Sequence, residues 1–494
     1  MMKGVVKAVA LAAAVSALAG CSSYQQRSQM EAFNTSWVLG DYNAAIESMR
    51  PKPGLGGLKK VEDKRLLEVL HQAEAKRMLG AHDEAIALYD EAEVGMKLDD
   101  TTGLASNLLE GGMSVLVNDA ERDYTPMLSE TILVNTYKGL SFLHQGQRDL
   151  ARIEFNRADD RTRRAVESFA DEIAAQQAAL KDGDGTEQAS ISKSLESDAL
   201  QQSVSEHYGN TAQWNVYSEF IVPASTYLHG LFFLASRDSG DLDKASVSLS
   251  RVAEMAPDNT ILRQDAELAD ALSSGRQSRQ DLAPQVWVLY ENGLGPVAKE
   301  TRFDIPLLLF HGNTSVPAYT GIALPRYSDR AANRDALSIN ADGSQFTLEA
   351  FSPMGKVVNT EMQSRFPAVL GRAVASAAVK ALIQKSAADE LGAVGQLGSA
   401  LFAASTTRAD LRSWQATPDH WEATRFDRPA SGALTLSTQA GPLGEVSLPD
   451  WPYTLVYIKR PSQQGPAQVS VIDLQGEHTG AQFTLGATPA VASR

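Results

Sequence analysis

Apolar positions in the first half of the chain recur at helical spacing. Four segments share one pattern: GDYNAAIESM from Gly40, GAHDEAIALYDEA from Gly80, GQRDLARIEFNRA from Gly146 and GDLDKASVSLSRV from Gly240. Each glycine is followed five residues later by an alanine (Ala45, Ala85, Ala151, Ala245) and four further on by a large apolar residue (Met49, Tyr89, Phe155, Leu249). A small or apolar residue comes three later in the last three copies: Ala92, Ala158 and Val252. Glycine suits the turn between two antiparallel helices, alanine lets the helices approach, and residues four and seven positions on lie on the same face. The pattern predicts helical hairpins over 29–275. A polar, Gly/Ser-containing stretch at 180–198 reads as a mobile insertion. Beyond GRQSRQDLAP the period changes to that of short strands, at VWVLYENG, RFDIPLLLF, AYTGIALP, SQFTLEAF, GALTLST, WPYTLVYIKR and QVSVIDL. Between them, Phe366, Val369, Leu370, Ala373, Val374 and Ala377 mark one helical face, and a second, Ala/Gly-rich helix spans about 387–404. Strands, two buried helices, then strands predict an α+β domain over 285–476 with a mostly antiparallel sheet, and 477–494 reads as a loose tail. The fold class expected is α+β overall, with an all-α repeat array preceding this domain.

The glycine–alanine–large pattern resembles the second half of a tetratricopeptide repeat, and Pro257 closes the fourth copy as the proline of that family does. The resemblance implies stacked helical hairpins whose seams are formed by Gly40, Ala45, Gly80, Ala85, Gly146, Ala151, Gly240 and Ala245.

The N-terminus changes the picture of where such an array would sit. Lys3 and Lys7 precede a Val/Ala/Leu-rich run that is too short to span a bilayer with its flanks. Leu18, Ala19 and Gly20 then precede Cys21, the only cysteine of the 494 residues. Residues 1–20 read as a secretory signal, and Leu-Ala-Gly-Cys resembles a bacterial lipobox. That resemblance implies cleavage before Cys21, a diacylglycerol thioether on it and an acylated amine. A tether over 21–28 would then join the lipid to the folded chain. Ser22, where aspartate would favour inner-membrane retention, points to the outer membrane. The expected localisation is the outer membrane, lipid-anchored and facing the periplasm. The lone cysteine leaves no disulfide framework. The net charge is −15, and loss of the signal's two lysines makes the mature chain more acidic still. Such a charge disfavours nonspecific nucleic-acid binding.

Three further stretches follow in order: RDYTPMLSETILVNTYKGLSFLHQGQRDLARIEFNRA (122–158), VLYENGLGPVAKETRFDIPL (288–307) and ADLRSWQATPDHWEATRFDRPASG (409–432). Together with the lipobox they resemble an uncharacterised family of bacterial tetratricopeptide-containing outer-membrane lipoproteins. No activity follows from that resemblance. By gene neighbourhood alone it points to the peptidoglycan-synthesis machinery as the class of periplasmic partner.

Motifs for chemistry are sparse. GLGGLKK (54–60) and AFSPMGKV (350–357) lack the hydroxyl residue of a phosphate-binding loop, the histidines form no H-E-x-x-H spacing, and no G-x-S-x-G elbow occurs. No cofactor or metal is expected. Asp410, Arg412 and Trp414 alternate, so an extended segment would place them on one face, as a recognition patch or as a structural latch. The latch would have Trp414 plug the junction between the 387–404 helix and the next strand. The reading is a non-enzymatic interaction scaffold in the cell envelope. The alternative is a cell-wall hydrolase with its active site in the C-terminal domain.

Overall fold

A computed structural model describes residues 26–50, 66–96, 124–181, 185–311, 314–330 and 334–486. The lipobox residues, Cys21, the 54–60 loop and the last residues of the expected tail lie outside this set.

The helical half is built from hairpins: α1 (26–39) with α2 (Tyr42–Ser48), α3 (Leu66–Met78) with α4 (His82–Gly95), and α5 (Leu128–His144) with α6 (Arg148–Arg163). After an excursion, α10 (Pro223–Leu234) pairs with α11 (Leu242–Met255), and α12 (Thr260–Ser273) closes the row. Ala45, Ala85, Ala151 and Ala245 are all fully buried, with Met49, Tyr89, Phe155 and Leu249 beside them. The first three turns end in the same way. Gly40 donates to the Trp37 carbonyl and Asp41 to Ser36, Gly80 to Arg77 and Ala81 to Lys76, Gly146 to Leu143 and Gln147 to Phe142. This doubly bonded helix end needs a left-handed residue, and Gly40 supplies it at φ 75°. Gly240 departs from the pattern. It lies in a 3₁₀ turn, Ser239–Asp241, held by the Asp238 carboxylate, and has no left-handed backbone.

The turns dock on the second half of the chain. A Cβ at Gly40 would meet the Pro466 ring at 2.3 Å, and one at Gly146 would meet the His478 backbone at 3.2 Å. Gly480 donates to the His144 carbonyl at 2.6 Å, and Gln475 donates to the Ala235 carbonyl at 3.3 Å.

That second half carries two stacked sheets. Six strands run in the order β12-β11-β10-β1-β7-β6: β1 (Gln285–Asn292), β6 (Glu349–Phe351), β7 (His420–Asp427), β10 (Tyr453–Arg460), β11 (Ala467–Asp473) and β12 (Ala481–Leu485). The central pair β1–β10 is parallel and its neighbours are antiparallel, so the sheet is mixed. Four more strands, β5-β4-β8-β9, form the second sheet: β4 (Leu337–Ala341), β5 (Ser344–Thr347), β8 (Ala433–Thr438) and β9 (Gly441–Ser447). Every residue of β1 and β10 is buried. Val286, Val288, Tyr290, Val456 and Ile458 pack against the second sheet. Trp287, Leu289, Tyr453, Leu455 and Tyr457 join the helices in one core that runs from Phe33 to Leu474. Burial on both faces is why these strands read as continuous apolar runs. Secondary structure changes near residue 280, but the core does not divide there. Residues 481–485, expected as tail, pair with β11.

A third group of elements has its own core. β2 (Val297–His311) and β3 (Thr314–Ser328) zip along their whole length as a two-stranded hairpin. Phe303, Ile305, Leu307, Ile322 and Leu324 form its inner face. That face is covered by α8 (Gly185–Leu195), α9 (Asp198–Tyr208) and α13 (Met354–Thr406). The insertion expected to be mobile is therefore partly α8, with Ile191 buried and Ser194 accepting from the Leu308 N–H at 3.0 Å. The two expected helices are one helical run of 53 residues. It is not a straight rod: Lys380 Nζ lies 3.5 Å from Thr407 Oγ1. At 1.5 Å per residue a straight helix would separate these positions by about 40 Å, so the run doubles back between them.

Candidate functional site

The ADLRSW stretch lies in the irregular segment that leaves α13; Asp410 and Arg412 stay side by side, and Trp414 does not share their side. Asp410 accepts from the Arg412 backbone N–H at 3.0 Å and from its guanidinium at 2.8 and 2.7 Å. Arg412 also stands over the Tyr124 ring, 5.7 Å from its centroid. Trp414 points the other way, into the shared core, and is 2% exposed. Its indole meets Tyr89 and Tyr137 edge-on at 6.4 and 5.7 Å. The residue is therefore buried against α4 and α5, not at the junction between α13 and the next strand. Burial removes Trp414 from any surface patch. Asp410 and Arg412 instead line a cleft of about 120 Å³ with Arg27, Met30, Leu67, Glu300 and Arg408. Gln415 ties its floor: the backbone N–H donates to His71 Nε2 at 3.0 Å, while His71 Nδ1 donates to the Leu67 carbonyl at 2.7 Å. Burial lowers the His71 pKa to about 4, which keeps the ring neutral and able to accept.

Two buried carboxylates that the sequence did not single out lie at the start of α5. Glu130 accepts from the Tyr124 hydroxyl, from Met127 N–H at 2.9 Å and from Trp414 N–H at 2.7 Å. Burial raises its pKa to about 7 against these bonds. Glu361, from α13, accepts from Leu128 N–H at 2.5 Å and from Ser129 N–H and hydroxyl at 3.0 and 2.8 Å. Both acids cap the N-terminus of α5, where free N–H groups and the helix dipole favour negative charge. Glu130 also ties Trp414 to that end, and Glu361 lies 3.3 Å from the Arg365 guanidinium.

A second polar cluster joins the two halves. Glu74 and Arg77 on α3 form a bidentate pair at 2.8 and 2.7 Å. Lys459 on β10 reaches Glu74 at 2.6 Å and Glu291 on β1 at 2.5 Å, and Glu291 also receives the Tyr457 hydroxyl. Burial pushes the Glu74 carboxyl up, but Arg77 and Lys459 outweigh it and hold the group well below the ordinary carboxylate range. Two acids and two cations balance, and aromatic rings enclose them: Arg77 lies 4.5 Å and Lys459 5.0 Å from the Tyr137 centroid. A sequence signal existed here, since Glu291 and Lys459 are charged ends of otherwise apolar strands, in register with each other.

His420, at the start of β7, sits between Asp419 at 2.7 Å and Glu422 at 3.0 Å. Burial opposes its charge, but the two carboxylates prevail and raise its pKa to about 9. Both ring nitrogens are occupied, so the imidazolium is a clamp and has no lone pair for a general base. Among the described residues no group of three His, Cys, Asp or Glu side chains is placed to hold a metal ion, and no helix is long and apolar enough to cross a membrane. Comparison with family models, with curated proteins and with solved structures yields no match.

Proposed function

We propose that this chain is a lipid-anchored outer-membrane protein that acts as an interaction scaffold in the cell envelope, with tetratricopeptide-like hairpins serving as its frame. The observation that carries the scaffold reading is the commitment of three clusters of buried ionisable groups. Glu130 and Glu361 cap a helix, His420 is held at both nitrogens, and Glu74, Arg77, Glu291 and Lys459 neutralise one another. These arrangements join elements together and hold the named groups in structural roles, which favours the scaffold over a hydrolase. The inner side of the hairpin row is filled by the six-stranded sheet, so a partner docks elsewhere. The β2–β3 arm suits that role, because it has its own core, neither of its strands pairs with a further strand among the described residues, and Tyr319 is exposed by 78%.

The anchor reading rests on Leu18-Ala19-Gly20-Cys21 and Ser22. Sucrose-gradient fractionation tests it. Wild type is expected with outer-membrane markers, Ser22→Asp with the inner membrane, and Cys21→Ser without lipid label. Wild type in the inner-membrane fraction contradicts the placement.

A further inference from the structure

We propose that the cleft between residues 26–30 and loop 408–412 holds the phosphate of an anionic phospholipid head group in the membrane that carries the anchor. The proposal rests on the lipid-anchor reading for its location, and on the cleft's own charge for its chemistry.

Location follows from chain length. Four residues, and so five residue-to-residue steps, separate Cys21 from Gln26, the first described residue of α1 and part of the cleft wall. Even fully extended, at about 3.5 Å per residue, they span about 18 Å. A lipid on Cys21 therefore keeps this cleft, among all surfaces of the protein, close to the head-group layer.

The charge of the cleft is opposite to that of the molecule. The chain carries −15 overall. Around the cleft the two acids are already committed. Glu300 accepts from Arg302 at 3.0 Å and from the Ala409 N–H at 2.9 Å, and Asp410 is held by Arg412. Arg27 and Arg408 line the same cleft and form no ion pair among the described residues. Two guanidinium groups thus remain for an anion, and their planar forks match phosphate oxygens. Met30, Leu67 and Leu411 supply an apolar wall suited to the glycerol and first methylenes behind a phosphate. The volume, about 120 Å³, is below the roughly 300 Å³ of a drug-sized site. It admits a head-group fragment and excludes a whole lipid. Occupation of the cleft would fix how the body stands on the membrane, which a flexible tether alone does not.

Co-sedimentation of the unacylated mature chain, beginning at Ser22, tests this with two vesicle types. One is phosphatidylcholine alone, and the other is phosphatidylcholine with phosphatidylglycerol. Binding is expected only to the anionic vesicles, weakening with salt. Each arginine near an anionic surface contributes about fivefold. Arg27→Gln with Arg408→Gln together should therefore lower partitioning by about 25-fold. Lys193→Gln, exposed elsewhere, should leave it unchanged. Arg27 is exposed, so Arg27→Gln alone stays readable if the double variant does not fold. Equal binding to both vesicle types, or wild-type binding by the folded variants, overturns the proposal. Full competition by inorganic phosphate at matched concentration would mark a free-anion site and also overturns it. The anchor is read separately by palmitate labelling at Cys21. Loss of that label sinks the anchor reading and leaves the vesicle result standing, whereas an acylated protein with an indifferent cleft sinks only this proposal.

Discussion

Trp414 shows what a single side chain does at the meeting of the two halves. Its backbone N–H serves Glu130, which caps α5, and its indole fills the gap between Tyr89 and Tyr137. Trp414→Ala should destabilise the full chain by about 3–5 kcal/mol, the range for a buried aromatic. Chemical denaturation checks this, and a variant with the wild-type midpoint would mean the site is not core. His420 makes a prediction in pH. Its folded pKa is raised to about 9, above the ordinary value of about 6.5. The stabilisation it gives is complete below about pH 6.5 and is lost as pH climbs through about 9. The wild-type melting temperature should therefore fall between these values more than that of His420→Gln. Parallel curves for the two proteins would contradict the clamp.

At the scale of elements, the hairpin register is the firmest result. Replacing Ala151 with Glu forces a charge into a seam where the native side chain is fully buried, and should cost several kcal/mol. Thermal melting of this variant at the wild-type temperature would show that α5 and α6 do not meet there. The alanines and large residues were legible because helical periodicity is local. The turn glycines were legible for the same reason, except at Gly240, where a side-chain-capped 3₁₀ turn replaces the left-handed residue. Two of the strands that escaped notice share another trait. LSINA and HWEATRFD mix polar residues into short runs, and their strand character comes from pairing with β8 and β1 across long sequence separations. The reversal of α13 was only partly visible. Its Ala/Gly-rich sequence suggested two helices, and the helical backbone persists through the whole run. For the ADLRSW stretch, alternation in an extended segment predicted one shared face, and the backbone there is irregular. Asp410 and Arg412 stay together at the cleft, while the Trp414 indole turns into the core between Tyr89 and Tyr137.

The whole molecule differs from a groove-bearing array followed by a free domain. Its sheet has helices on one face and a second sheet on the other, and four balanced charges lie buried where helices and sheet meet. Removing one partner of such a cluster would strand the others, which is why the two halves act as one body. None of this could be read from local pattern, because Glu74 and Lys459 are 385 residues apart. The consequence for the proposed function is spatial: the inner side of the hairpins is occupied, and the arm with its exposed Tyr319 is the docking surface we propose. Site-specific photocrosslinking in intact cells tests that claim most directly. A photoreactive residue at Tyr319 on the arm is compared with one at Val247, which is 69% exposed on α11. The account predicts discrete protein adducts from position 319 and none from 247. Adducts from 247 with none from 319 would contradict it.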